Sequence, residues 1–366
     1  MGSIEEYRKE INEIDEKMAV LFERRMQVCR SIGEYKKENA LPIRDVSRED
    51  NLTAMGLNMI KDPDIAPYYA SFIKNNIDLS CRLQSRIING MKVGYSGVPG
   101  AYAYIAAKRM FPGSELISLP NFENAYRSCE AGEIDCAVLP IENSYAGDVG
   151  TVMDLAFSGS LFVNRTASLN IEHSLLSLDG ASLSGIRTVV SHPQAVSQCD
   201  EYIRSHGYEV REYSNTARAA EYVKEMGDPH IAAIASEETA GIFGLKILES
   251  HINTNRNNST KFCVFSRSRS MPSPSAPNDE YEFILVFTVP NEAGSLAMIL
   301  DIIGAHGFNM RTLRSRPMKS LAWNYYFYIE AEGNINSENG QDMLREMSVL
   351  CDKLKLVGTY EGKVTL

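Results

Sequence analysis

Ile4, Tyr7, Ile11, Ile14, Met18, Leu21, Val28, Ile32 and Tyr35 recur at steps of three and four, and no proline interrupts them before Pro42. The spacing predicts one unbroken helix over 3–37. Ser3 and Glu6 stand at the separation of a capping box. At ~1.5 Å per residue such a helix runs roughly 50 Å. That is too long for a small monomeric domain to cover, so it is expected to pair with a partner chain. A second helix is expected from near Asp45 to before Lys61-Asp62-Pro63-Asp64. A third is expected from about Pro67 to Asn89, with Phe72, Ile73, Ile77, Leu83 and Ile87 on its apolar face.

At Gly90 the texture changes to short strands alternating with helices. Strands are expected at 92–95, 116–119, 187–191, 210–213 and 231–235. Helices are expected at 102–110, 122–131, 194–206, 217–226 and 237–242. Such alternation implies parallel sheets with right-handed crossovers. The stretch Ala137 to Gly150 belongs to this series: an apolar strand that Pro140 is expected to end, the polar cluster Glu142-Asn143-Ser144, and a helix over 149–157 opened by Gly147 and Asp148. Ligands of open α/β sheets bind at the carboxyl ends of strands, near helix N-termini. Asn143 and Ser144 therefore sit where a small anion is expected, although a turn rich in turn formers explains the same residues. Polar strand ends near 143 and 191 imply two lobes with a cleft between them.

Residues 266–277 are rich in serine, arginine and proline without periodicity, which marks a linker. Beyond it, strands at 281–289, 310–316, 323–330 and 356–360 and helices at 295–306 and 339–354 give a βαββαβ order, a ferredoxin-like arrangement. The chain is therefore multidomain: an all-α domain over 1–90, a two-lobed α/β domain over 91–268, a linker over 269–279, and an α+β domain over 280–366.

A net charge of −10 argues against broad nucleic-acid binding, so any anion site must be local. Seven scattered cysteines with no Cys-x-x-Cys pair argue against a disulfide framework or zinc and for a reducing compartment. No signal-peptide core or run of 18 apolar residues is present, so a cytoplasmic location is expected. The glycines from 94 to 100 do not form Gly-x-Gly-x-x-Gly, which disfavours a nicotinamide fold. No cofactor or metal is expected.

On the first helix, Arg25 and Lys36 are about three turns apart and share a face, whereas Arg8 lies roughly 25 Å from Arg25 along the axis. One small ligand cannot touch both, so Arg8 would serve a site in a partner chain. A helical arginine is most often merely solvated.

Taken with Asp45, Arg48, Glu49 and Gln84, this set resembles the all-helical chorismate mutases that lead many bifunctional prephenate dehydratases. The later blocks agree. Pro140-Ile141-Glu142-Asn143-Ser144, Ser191-His192-Pro193-Gln194 with Gln198-Cys199, and Asn258-Ser259-Thr260-Lys261-Phe262 resemble prephenate dehydratase blocks in order. Asn291-Glu292-Ala293-Gly294-Ser295-Leu296 and Asn309 to Pro317 resemble ACT-domain blocks of the same family.

The resemblance implies two reactions of phenylalanine biosynthesis: chorismate to prephenate, and prephenate to phenylpyruvate, CO2 and water. In the mutase, arginines would clamp carboxylates, Lys36 and Gln84 would donate to the ether oxygen, and Glu49 would bind the ring hydroxyl. This is orientation and electrostatic preorganisation without a general base. In the dehydratase, Thr260 would hydrogen-bond the departing hydroxyl, and Asn143, Ser144, Ser191 and Gln198 would bind substrate.

Phenylalanine would bind at Asn291, Gly294, Ser295, Leu296, Arg314, Ser315 and Arg316 between paired ACT domains and inhibit. Lys261, Arg314, Ala101 and Ala103 depart from the family's arginine, glutamate, threonine and serine. His173 and His192 read as structural. The alternative, from a different class, is a non-catalytic small-anion or amino-acid sensor built on the two-lobed cleft.

Overall fold

The computed structural model describes residues 3–255, 257–318, 324–362 and 364–366. Two compact units divide the chain between Met91 and Lys92. The first is helical: α1 (Ile4–Glu38), α2 (Val46–Leu57) and α3 (Ala66–Asn89). The expected capping box at Ser3 and Glu6 is present. Every residue from Ser3 to Arg24 is exposed, and Ile4, Tyr7 and Ile11 are each more than half exposed. Helical propensity and the cap define α1, but the apolar face of its first half has no cover within its own unit.

The second unit begins with β1 (Lys92–Ser96), α4 (Tyr102–Met110), β2 (Glu115–Leu119), α5 (Phe122–Ala131), β3 (Cys136–Asn143), the two-residue β4 (Gly147–Asp148), α6 (Gly150–Ser158) and β5 (Phe162–Asn170). A second lobe follows: β6 (Ser174–Ser177), β7 (Thr188–Ser191), α7 (Pro193–Gln198), α8 (Asp200–His206), β8 (Glu209–Glu212), α9 (Thr216–Met226), β9 (Ile231–Ala235), α10 (Glu237–Phe243) and β10 (Lys246–Glu249). The chain returns to the first lobe on β11 (Ser259–Ser266). It then adds β12 (Tyr281–Thr288), α11 (Ser295–Ala305), β13 (Asn309–Pro317), β14 (Tyr325–Glu332), α12 (Glu338–Leu350) and β15 (Lys353–Glu361).

Sheet order in the second lobe is β10-β6-β9-β7-β8, with β7 parallel to both β8 and β9. The large sheet runs β13-β14-β12-β15-β5-β11-β3-β1-β2, with β4 beside β3. Its last four elements in sequence order, β12 to β15, are antiparallel neighbours in the order β13-β14-β12-β15. β15 joins β5 at the pair Gly358↔Val163, and the residues after it bridge β5 again at Ser168↔Thr365. A Cβ on Gly358 would run into the Val163 carbonyl, so glycine is what lets the two halves of the sheet meet there. One core continues across the junction: Leu139, Tyr126 and Phe265 of the first lobe share a cluster with Ile284, Tyr328 and Tyr360. The Tyr126 and Phe265 rings meet edge-to-face at 5.4 Å, and the Tyr126 hydroxyl accepts from Leu161 N–H, so the buried phenol is satisfied.

Several expectations need correction. Pro140 does not end β3, which continues to Asn143. Pairing with β1 has already stopped at Val138, and the β11 register shifts between Lys261 and Phe262 opposite Pro140, so no ladder bond needs its missing N–H. Gly147 and Asp148 form β4 rather than opening a helix. The helix expected over 194–206 breaks at Cys199 into α7 and α8. Antiparallel β5 and β11, the two passages between lobes, and strands β6 and β10 add to the expected series. The helix expected over 339–354 stops at Leu350, and Trp323, the expected start of a strand, lies outside the described residues. No helix among the described residues is long and apolar enough to cross a membrane.

Candidate functional sites

Between the two lobes of the second unit lies a cleft of about 680 Å³. Asn143 at the end of β3 lies opposite Thr260 on β11. Asn143 Oδ1 accepts from the N–H groups of Tyr145 (3.0 Å) and Ala146 (2.7 Å), which fixes the amide. Its Nδ2 then donates to Asn258 Oδ1 (3.0 Å), Ser259 O (3.1 Å) and Thr260 Oγ1 (2.9 Å). Thr260 thus accepts from Asn143, and its own hydroxyl proton has no acceptor among the described residues. Thr260 and Phe262 line the cleft, and Lys261 between them does not, as strand alternation requires.

Across the cleft, Gln198 ends α7 and is 6% exposed. Its Oε1 lies 2.8 Å from His173 Nε2, while His173 Nδ1 lies 3.0 Å from the Tyr102 hydroxyl. An amide oxygen only accepts, so Nε2 carries the imidazole proton, and Nδ1 shares the single Tyr102 hydroxyl proton with the Glu172 carbonyl, 2.7 Å from that hydroxyl. Burial drives His173 down to about 4, against the opposing pull of Gln198, so the ring is neutral. Tyr102 comes from α4 of the first lobe, so the chain Tyr102–His173–Gln198 crosses between lobes and directs the Gln198 amide. The Thr239 hydroxyl adds a second crossing to the Gly100 carbonyl (2.9 Å). Ala101, the N-cap of α4, offers no side-chain cap and lines the cleft, which leaves that helix's first N–H groups for a ligand.

Two expected substrate residues lie elsewhere. The Ser144 hydroxyl donates to Asn257 O (3.1 Å) and accepts from Ser259 N–H (2.9 Å), locking the turn to β11. Ser191 is fully buried and donates to Ile234 O (2.6 Å), tying β7 to β9. Neither lines the cleft. Both hold backbone in place because turn and strand-end carbonyls need partners. His192 caps α7 by accepting from Gln194 N–H (3.2 Å). Among the described residues no cluster of three His, Cys, Asp or Glu could hold a metal ion.

The C-terminal strands lie directly behind the cleft wall. Arg314 Nε donates to Asp148 Oδ1 (2.9 Å) and its Nη2 to Glu142 Oε1 (3.0 Å). Arg316 Nε donates to Asp154 Oδ1 (3.0 Å), which also accepts from the Tyr326 hydroxyl (2.7 Å). Lys261 pairs with Glu330 (2.5 Å), which is 5% exposed at its side chain. Burial opposes the ammonium, but the Glu330 carboxylate outweighs it and holds Lys261 above its ordinary range. Arg314 and Arg316, expected within the phenylalanine-binding block, thus reach carboxylates of β4, β3 and α6, while Ser315 is exposed. Gly294, at φ +89°, caps the N-terminus of α11 without a side-chain bond; Asn291 is exposed, Ser295 is buried and Leu296 is half-buried.

In the helical unit, Arg25 donates to Asn76 O (3.2 Å) and to the Ser80 hydroxyl. Lys36 Nζ donates to Ile43 O (2.5 Å). Asp45 accepts from Arg48 N–H (3.1 Å) as the N-cap of α2, so its carboxylate already has a structural task. Glu49 lies 3.9 Å from Arg44 and 3.9 Å from the Cys81 thiol. Gln84 is buried, and its Oε1 has no partner among the described residues. Arg8 and Arg48 are exposed.

Residues 93–270 match the prephenate dehydratase family, and residues 7–85 match chorismate mutase type II. A bifunctional chorismate mutase/prephenate dehydratase of Buchnera aphidicola is 30% identical over 372 residues, covering 98% of this chain and 96% of that protein. The chain belongs to the bifunctional chorismate mutase/prephenate dehydratases. A solved prephenate dehydratase of Arthrobacter aurescens in complex with L-Phe is similar at a TM-score of 0.68 and 28% identity, covering 74% of this chain and 90% of that one. GqqA, described as a novel type of quorum quenching acylase, is similar at 0.69 and 29%, covering 74% and 98%.

The structure adds residues to both sites. Ser80 contacts Arg25 in the mutase unit and stands four residues before Gln84, so the face it shares with Gln84 was readable from the sequence. In the dehydratase unit, Tyr102 lies between the departing residues Ala101 and Ala103, and its role rests on its contact with His173. Asp148 and Glu330 had no signal, because what matters about them is an arginine and a lysine far away in the chain.

Proposed function

We propose that the helical unit rearranges chorismate to prephenate and that the cleft of the second unit turns prephenate into phenylpyruvate, CO2 and water. Residues 280–366 then form a ferredoxin-like ACT domain that binds phenylalanine and lowers dehydratase activity. The observation that carries the dehydratase reading is the Thr260 hydroxyl: it faces the cleft, accepts from Asn143, and keeps its proton for a ligand. As the ring carboxylate departs as CO2, its electron pair enters the ring and the ring hydroxyl leaves, taking one proton from solvent to become water. Thr260 hydrogen-bonds that departing hydroxyl; a threonine hydroxyl is too weak an acid to do more alone. Gln198, oriented by His173, and the uncapped start of α4 bind the remaining polar groups, including the side-chain carboxylate.

For the mutase, Arg25, Lys36, Arg48, Glu49 and Gln84 hold the dicarboxylate and the ether oxygen; Asp45 contributes by starting α2. The exposed apolar first half of α1 supports a homodimer or higher oligomer in which Arg8 completes the neighbour's site. Seven scattered cysteines with no Cys-x-x-Cys pair fit a cytoplasmic setting.

The test is ultraviolet absorbance of chorismate and of prephenate with wild type and Thr260→Val. Wild type should consume both. The variant keeps its shape and is expected to lose order 10²-fold or more in dehydratase kcat while leaving chorismate consumption intact. Wild-type kcat in the variant would remove Thr260 from the mechanism. Wild type that consumes neither substrate would favour the non-catalytic sensor.

A further inference from the structure

The dehydratase cleft holds one carboxylate, Asp148, and neither lysine nor arginine among its described lining residues. Prephenate carries two negative charges, so an uncompensated Asp148 would repel it. Arg314 supplies the compensation from outside the cleft. Its guanidinium spans Asp148 of β4 and Glu142 of β3, two residues paired across the same hairpin. The next residue of β3 is Asn143, which donates to Thr260. Contact between β13 and the cleft wall is close beyond this one residue: Arg316 leaves no room for a Cβ on Gly150, itself a cleft residue.

We propose that Arg314 is a positioning residue of the dehydratase: it neutralises Asp148 at the cleft wall and holds the β3–β4 hairpin that carries Asn143. A glutamate at 314, the residue expected from the family resemblance, would face Glu142 and Asp148 and place three carboxylates together. The tie is therefore a property of this chain's arginine. The inference rests on the dehydratase reading and names how the C-terminal strands bear on that site.

The test is steady-state kinetics of the full chain on prephenate, with chorismate turnover as the internal control. Both carboxylates are partly exposed, so the effect is moderate. Arg314→Gln is expected to raise the KM for prephenate roughly fivefold, Arg314→Glu to raise it further, and neither to change mutase kinetics. Arg314→Lys keeps the charge but loses the two-armed span, and is expected to fall between wild type and Arg314→Gln. The discriminating readout is rescue: Asp148→Asn in the Arg314→Gln background should bring KM back toward wild type, because the uncompensated charge is gone. An arginine that acted only by tying the hairpin would not be rescued, because the double variant still lacks the tie to Glu142.

Unchanged KM in Arg314→Gln and Arg314→Glu would overturn the proposal, as would a double variant no better than Arg314→Gln. Should Arg314→Gln fail to fold, a folded Arg314→Lys with KM raised beyond about tenfold would overturn it equally. Wild-type protein inert toward prephenate would instead remove the dehydratase reading, and this inference with it.

Discussion

His173 makes the dehydratase unit's stability depend on pH in a window that its mutation should erase. The ring is 1% exposed, and among the described residues its two nitrogens meet only Tyr102 and Gln198. Burial lowers its folded pKa to about 4, against an ordinary value of 6.5. As pH falls below the ordinary value, the unfolded chain takes up the proton first. Stability is thus fully present above about 6.5 and lost progressively down to about 4. At ~1.4 kcal/mol per pH unit the whole window is worth about 3 kcal/mol, of which about 2 is gone by roughly pH 5. The assay is urea unfolding of wild type and His173→Gln at about pH 7.5 and pH 5. Carboxylates common to both proteins cancel in the difference. The stability of wild type relative to the variant is expected to shrink by about 2 kcal/mol between those two pH values. A difference that stays constant would mean that His173 is not a buried neutral ring and that the Gln198 orientation derived from it is wrong.

Arg25→Ala should abolish mutase turnover and leave dehydration of supplied prephenate nearly intact. Mixed with an inactive Arg8→Ala protein under subunit exchange, it should regain activity, since a mixed dimer holds one intact site; verified mixed dimers without activity would refute shared sites. Lys261→Met leaves Glu330 buried and unpaired and is expected to cost roughly 3–5 kcal/mol in urea unfolding; a cost below about 1 would mean the pair is solvated. Calorimetry should detect L-phenylalanine binding to the full chain with dehydratase inhibition in parallel; no heat and no inhibition at millimolar ligand would show that the C-terminal region is blind to it.

The three helices and the βα alternation of both lobes are legible because their apolar periods are strong and their caps local, as at Ser3 and at Asn121 and Asn215, which cap α5 and α9. β5 and β11 are not legible in the same way. Phe162-Val163-Asn164-Arg165-Thr166-Ala167-Ser168-Leu169-Asn170 mixes polar residues into both faces, because the strand lies between β11 and β15 and its polar side chains find partners there. Asn164, for one, donates to Ser266 Oγ (2.6 Å). At the site, Asn143, Gln198 and Thr260 stand where their blocks implied a cleft, whereas Ser144 and Ser191 carry the same polar signature for a different reason. A hydroxyl that ties backbone looks like one that binds substrate until its partners are known. Arg314 is the opposite case. It reads as a disturbed effector loop, and its partners lie 172 and 166 residues earlier in the chain.

How a chain of net charge −10 attracts dianions twice over has two different answers in its two units. The helical unit gathers cations, with Arg25 and Lys36 on one face and each already engaged with an oxygen that a carboxylate can replace or join. The cleft of the second unit has none among its lining residues. What it has is an uncapped helix start at Ala101, the Thr260 hydroxyl held in place by Asn143, and an amide at Gln198 aimed by a neutral imidazole. Dipoles of this kind bind an anion without the desolvation that a buried ammonium would suffer, which matters where one of the substrate's charges must leave as neutral CO2. A lysine beside that carboxylate would stabilise the ground state and hold it back. Lys261 illustrates the separation: the one lysine in the Asn258–Phe262 block is turned to the far face and spent on Glu330. The same logic leaves Asp148 as the electrostatic weak point of the cleft wall, and the arginine that compensates it comes from the C-terminal strands, so substrate affinity in the cleft depends on where those strands sit.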